Sequence, residues 1–414
     1  MKTLKIFMAA LAAVACVSVA QATTTVVRLT GSTAYRGNTH NAIRNIYDAG
    51  YTYGYTGSSF GGAAQAIFSG TIGGQPVTIK TDWTGSEGGI QTVAGSVTIP
   101  FLPNSTPTST GGTGGATVAT CVNGGDCAVP DVAMSDSFQS SSAYFGLYRG
   151  VTYPTLTESP NSPVGIVPFK FLANKGAPAA LTNITLQQAK ALFGAGALSL
   201  SFFTNNNADE SITVVATGRD PDSGTRLTET AEVGLGPQAS VKHWEPLDSS
   251  NNLVKTVGTT IAKFAPWPAS TINGIPVATF NGGYSSGGDL SKMMANFSPA
   301  NTAVVSYAGV GDADTNALPN GAVELSYNGV TLGNTGGNYN NATVLTEGKY
   351  SFWGYEHVYY RSATGGTAVG TVADTIANQL KTTDAQVLLG SMKVERATDG
   401  SVVFPSYTVV PPPQ

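Results

Sequence analysis

Three times along this chain a β-branched, apolar run ends in glycine with serine or threonine and leads into a helical pattern. The first run is Thr24 to Leu29. It is followed by Gly31-Ser32-Thr33 and a helical stretch from Ala34 to Ala49, with Ala42, Ile43, Ile46 and Tyr47 on one face and Gly50 as its stop. The second is Pro76 to Trp83, followed by Gly85-Ser86-Glu87-Gly88-Gly89 and a short helix toward Ala94. The third is Ile212 to Ala216. The segment Gly218 to Arg226 follows it, then a helix carrying Leu227, Ala231 and Val233 that stops at Gly234. Strands that alternate with helices bury one face of each against the other, which predicts an α/β fold. Further strands are expected at Asp131 to Met134, Val164 to Leu172, Thr302 to Ala308 and Tyr350 to Arg361. Further helices are expected within Leu181 to Phe193, from Ser285 to Phe297, and from Val372 to Leu380.

The junctions carry chemistry as well as topology. A helix N-terminus has unpaired N–H groups and about half a positive charge. Glycine lets a ligand approach the backbone, and a serine or threonine hydroxyl adds a donor, so such junctions suit anions. Ser and Thr are also ordinary helix caps, so one junction alone is as well explained by capping. The third junction adds Arg219, four residues before Ser223-Gly224-Thr225. Its planar guanidinium matches two oxygens of a tetrahedral anion, and Asp220 and Asp222 are candidates to hold it.

Composition narrows the alternatives. Of 414 residues only 11% are charged, against roughly 25% in ordinary soluble domains. With 21 Lys+Arg against 25 Asp+Glu and no basic cluster, a nucleic-acid partner is not expected. Residues 1–22 read as a signal peptide, with Lys2 and Lys5, an apolar stretch from Ile6 to Ala15, and cleavage after Ala22. Its removal takes the net charge from −4 to −6 and places the protein in the periplasm or outside the cell. Cys16 offers an alternative lipid-attachment site. Cys121 and Cys127 flank Gly-Gly and read as a disulfide pinning the Gly/Thr-rich loop 104–127. His243 to Phe280 reads as a β-rich insertion with turns at Asn251 and Asn273-Gly274. No neighbouring His or Cys pattern implies a metal or cofactor. Gly57-Ser58-Ser59-Phe60-Gly61 fits the G-x-S-x-G pattern. It stands in a Gly/Tyr-rich stretch without a clear strand before it or helix after it, and no local motif supplies a histidine. An enzyme is therefore not expected.

The order of short motifs resembles the phosphate-binding receptors of bacterial phosphate importers, within the type II periplasmic binding proteins. The matching residues are Gly31-Ser32-Thr33-Ala34, Gly85-Ser86-Glu87-Gly88-Gly89, Met134-Ser135-Asp136, and Arg219 with Ser223-Gly224-Thr225. The turn Gly282 to Asp289 and the strand Val304 to Ala308 also look similar, so the likeness spans nearly the whole mature chain. It implies a two-lobed α/β fold, each lobe a mixed sheet flanked by helices, with a ligand cleft between the lobes. On that division residues 23–167 and 313–414 form lobe I and 168–312 form lobe II. The resemblance implies inorganic phosphate as ligand, an ABC permease in the inner membrane as partner, and a monomer without catalysis. It assigns ligand contact to Ser32, Thr33, Ala34, Ser86, Asp136, Arg219, Ser223, Gly224 and Thr225. Arg36 is a further candidate cation. One departure is Pro221, which stands where the family commonly has an Asp, two residues after the Arg.

Asp136 bears on selectivity. A carboxylate repels an anion unless the ligand brings a proton to donate. Phosphate and arsenate carry one at neutral pH and sulfate does not, so an acceptor among donors favours the former. A competing reading is a cell-surface or matrix protein that uses the same fold for adhesion or scavenging. The Gly/Thr richness and the 104–127 and 243–280 segments motivate it.

Overall fold

The computed structural model describes residues 23–333 and 337–406. The signal peptide, its cleavage site after Ala22, and Cys16 lie outside the described residues. The fold is mixed α/β, built on one large mixed sheet flanked by helices. Its centre is parallel: Thr25–Gly31 lies between Gln75–Asp82 and Val132–Ser135 and runs with both. The β-branched alternation of Thr25–Gly31 sends Val27 and Leu29 into the core with no exposure.

Gly165–Ala173 links the two ends of the sheet. Its first four residues pair with Trp353–Tyr360, and its last five pair with Thr302–Gly309. All nine residues are buried, which explains its near-continuous apolar sequence. Beyond it, Thr213–Ala216 runs parallel to Thr302–Gly309. Trp353–Tyr360 returns antiparallel to Val132–Ser135 and closes the path between the two parallel regions.

The helices follow the junctions. The first is Arg36–Ile46, shorter than the sequence suggests at both ends. Residues before it stay non-helical and extended backbone at Tyr47 ends it, so Gly50 is not its stop. Ser86–Ala94 and Gly224–Glu232 are buried along their whole length, polar residues included. Gly287–Met294 is capped by Ser286 and ends before Phe297, which is exposed. The stretch around Ser59 also differs from expectation. A strand, Thr52–Thr56, does precede it, but turns and the strand Gln65–Ile72 follow. The short apolar-polar alternation of Tyr53 and Tyr55 is masked by glycine in the sequence. No helix follows Ser59, so the strand-to-helix elbow of a serine nucleophile is not formed there.

The 104–127 excursion is tied down at both ends. Thr113–Ala116 pairs with Thr52–Thr56 and forms the edge of the sheet there. Cys121 and Cys127 are disulfide-bonded with Cα atoms 5.6 Å apart. Asp126 accepts ion pairs at 2.8 Å from both Arg28 and Lys80. The 243–280 segment holds two small hairpins, Trp244–Leu247 with Lys263–Pro266 and Ser270–Ile272 with Ile275–Val277.

Gly31 ends the central strand and aims Ser32 and Thr33 off the sheet. Its φ is +117°, and a Cβ there would overlap the Met134 carbonyl oxygen. Gly50 also has positive φ (+91°) but open space around it. Gly50→Ala should therefore cost about 1 kcal/mol for its backbone conformation alone. Gly31→Ala should cost clearly more, because the Met134 strand must also move. Urea unfolding of both variants checks this, and equal losses would refute the crowding argument.

Candidate functional site

In open α/β sheets the strand carboxyl ends, where connections diverge, are the natural binding crevice. Here the ends of the three parallel neighbours carry Ser32-Thr33, Ser86 and Asp136. The end of Thr213–Ala216 carries Arg219 and, after a turn, the N-terminus of Gly224–Glu232. These pieces meet. Ser86 Oγ donates to Asp136 Oδ1 at 2.5 Å and accepts from the Asp136 N–H. Thr225 Oγ1 donates to Asp136 Oδ2 at 3.1 Å. A Cβ at Gly224 would overlap Asp136 Oδ1, so only glycine allows the helix start to come this close.

Asp136 is 1% exposed. Burial pushes its carboxyl up, opposed by the Ser86 and Thr225 hydroxyls and the Arg219 charge. Glu356, missed by the sequence reading, lies fully buried beside it. Among the described residues neither Glu356 oxygen has a hydrogen bond of good geometry, and the Ser32 hydroxyl is close enough to favour its charged form slightly. Burial, then the neighbouring Asp136 charge, pushes Glu356 well above the usual carboxylate range. Two adjacent buried carboxyls cannot both ionise cheaply. Asp136, which has donors, is the better placed of the two to carry charge, and Glu356 the better placed to hold a proton. A lone Glu in the aromatic strand Trp353–Tyr360 was the only sequence signal for it.

Arg219 is 2% exposed. Its Nε donates to the Tyr284 carbonyl, and its Nη2 to the Ser285 carbonyl and to Thr33 Oγ1. Backbone carbonyls, not Asp220 or Asp222, thus orient the guanidinium, which corrects the expectation for those carboxylates. Asp222 instead accepts from Asn273 Nδ2, and its backbone carbonyl accepts from the Glu87 and Gly88 N–H groups. The N–H groups that open the helix Ser86–Ala94 are therefore largely taken by protein. The N–H groups of Thr33, Ala34, Gly224 and Thr225 have no acceptor among the described residues. Ser223 Oγ caps its own helix by accepting from the Arg226 N–H.

Arg36 lines an adjoining cavity of about 500 Å³ that Thr33 and Ala34 also line and that Ser86, Asp136 and Thr225 do not. Among the described residues no cluster of His, Cys, Asp and Glu could hold a metal. The cluster that does form is one ionised acceptor surrounded by hydroxyls, an arginine and free N–H groups at two helix starts. Such a set can hold a small anion and select one that carries a proton.

No protein-family model matches the chain, and no curated protein matches it. Among solved structures it is similar to a Clostridium perfringens protein with bound phosphate, at 13% identity and TM-score 0.45, covering 87% of this chain and 98% of that one. An ABC-type phosphate transport receptor from Vibrio cholerae gives 11% identity and TM-score 0.45, covering 87% and 99%. PstS from Borrelia burgdorferi gives 12% identity and TM-score 0.34, covering 87% and 93%. The likeness is broad in coverage and loose in superposition, so the reading of the site rests on the chain's own residues.

Glu87, at the start of the Ser86–Ala94 helix, is 2% exposed and accepts from Ser137 Oγ and Ser142 Oγ. Burial nevertheless pushes its carboxyl up to about 7. A raised folded value means the native state binds the proton more tightly than the unfolded chain. The resulting stability is full below the ordinary Glu value and is lost as pH rises through 7. Unfolding free energy measured in urea should decline across that window, and Glu87→Gln should flatten the decline. An unchanged slope in the variant would refute the assignment.

Proposed function

We propose that the protein is an exported solute-binding protein that captures inorganic phosphate, or a similar protonated oxyanion, for ABC-type import. One observation carries this reading. Ser86 and Thr225, far apart in sequence, converge on the buried Asp136 carboxylate, against the helix start whose Gly224 and Thr225 N–H groups have no acceptor among the described residues. Charge-assisted hydrogen bonds from such donors would supply affinity. The Asp136 carboxylate would accept the ligand's proton and so supply selectivity.

The two-lobed division into 23–167 with 313–414, and 168–312, fits the way the site is assembled. Thr33, Ser86 and Asp136 would come from lobe I, and Arg219, Gly224 and Thr225 from lobe II. Gly165–Ala173 passes between the two regions of the sheet and would serve as part of the hinge. The receptor would act as a periplasmic or secreted monomer and deliver its ligand to a membrane permease.

Calorimetry on protein stripped of ligand tests the reading. Phosphate and arsenate should bind, and sulfate should bind weaker by a factor on the order of 10⁴. Asp136→Asn should lower phosphate affinity and let sulfate compete, because an amide tolerates an unprotonated oxyanion. Unchanged phosphate affinity and sulfate rejection in that variant would exclude Asp136 as the selector. Wild-type protein that binds no anion would leave the adhesion or scavenging role instead.

A further inference from the structure

The cavity of about 500 Å³ is within the size range of small-molecule sites, roughly 300–1,000 Å³, and is far larger than a tetrahedral oxyanion needs. Its walls include the starts of two helices, Arg36–Ile46 and Gly287–Met294, with Ala34, Gly37, Ser286 and Gly288 on its surface. Arg36 lines it while only 8% exposed, and its Nε has no hydrogen-bond partner. The guanidinium forms no ion pair among the described residues; Asp312 and Asp289 lie close enough to favour its charge, and burial and the neighbouring Arg219 oppose it. A buried cation without donor-acceptor contacts is unfavourable unless an anion completes it. Two helix N-termini on the same wall add to the attraction for negative charge.

The rest of the lining is not that of a bare anion site. Asp289 and Asp312 place carboxylates in the wall, with Lys292 3.8 Å from Asp289. Ser58, Ser59, Asn38, Asn316 and Gln386 add hydroxyls and amides. Carboxylates and amides in one wall accept from hydroxyl groups, while Arg36 takes a single charged group. We propose that this cavity is a second binding site for a hydroxylated organic anion about the size of a hexose, with its phosphate or carboxylate on Arg36. Thr33 and Ala34 border the cavity, and Thr33 also receives the Arg219 hydrogen bond, so the two sites adjoin at these residues, while Arg36 belongs to the cavity and Ser86, Asp136 and Thr225 do not line it. The proposal does not depend on phosphate binding at Asp136.

Calorimetric titration with glucose 6-phosphate, gluconate, glucose and inorganic phosphate tests it in wild type, Arg36→Ala, Ser59→Trp and Asp136→Asn. Ser59 is exposed, so tryptophan there fills the cavity without entering the core. At least one sugar anion should bind wild-type protein, with neutral glucose at least about tenfold weaker, as expected for loss of a charged partner. Arg36→Ala and Ser59→Trp should each weaken the sugar anion at least about tenfold, while circular dichroism shows both folded. Ser59→Trp should keep phosphate binding, and Asp136→Asn should keep sugar-anion binding. Failure of both sugar anions to bind would overturn the proposal. So would binding lost in Asp136→Asn but kept in Arg36→Ala, which would place the sugar anion at the Asp136 site.

Discussion

Two helices point their N-termini at one place, and like ends of helix dipoles repel. Ser86–Ala94 and Gly224–Glu232 each bring about half a positive charge to the junction. The Asp136 carboxylate stands between them and takes a hydroxyl from the first residues of each, Ser86 and Thr225. The Asp222 carbonyl does the same for the Glu87 and Gly88 N–H groups. Removing this negative charge would leave two positive ends facing each other out of water. The close approach of the helices, the glycine at 224 and the burial of both helices all follow from that one arrangement.

The same constraint would let a net-negative chain present the proposed anion site. The surrounding acids are numerous, but burial disfavours their charged forms. Glu356 beside Asp136, Glu87 at the helix start, and the pair Asp220 and Asp222 in the turn are all pushed up. A carboxyl that holds its proton contributes little to the local field, whereas the helix ends carry partial positive charge that does not titrate. Net charge is a property of the whole surface, while affinity at this depth depends on the few groups within hydrogen-bond reach.

Much of this was legible in the sequence because local rules dominated. The strand-to-helix junctions announced themselves through glycine and hydroxyl residues, and the strand preceding each helix through β-branched runs. The Arg219 to Thr225 spacing set apart the third junction. What the sequence concealed depended on contacts between distant segments. Nothing local shows that Tyr284 and Ser285 carbonyls, 65 and 66 residues away, hold Arg219 in place of Asp220 or Asp222. Glu356 was hidden because its strand is buried on nearly all positions, so alternation does not mark its face. The strand Thr52–Thr56 was hidden by glycine and tyrosine, whose pairing partners lie in Gln65–Ile72. Arg36 looked like part of the Asp136 cluster because it follows Thr33 closely, yet it faces a cavity that Ser86, Asp136 and Thr225 do not line.

A ligand at Asp136 would not simply add contacts to those already present. Both carboxylate oxygens hold hydroxyls supplied by the helix starts, so an entering anion must share or displace Ser86 and Thr225. A proton-bearing oxyanion can do this at little loss. It gives Asp136 a donor in exchange for the hydroxyl it takes, and the freed hydroxyl then donates to the anion. An oxyanion without a proton breaks the same contacts and leaves a carboxylate facing negative oxygen. The group that reconciles two helix ends in the protein would thus also decide which anion can bind beside it.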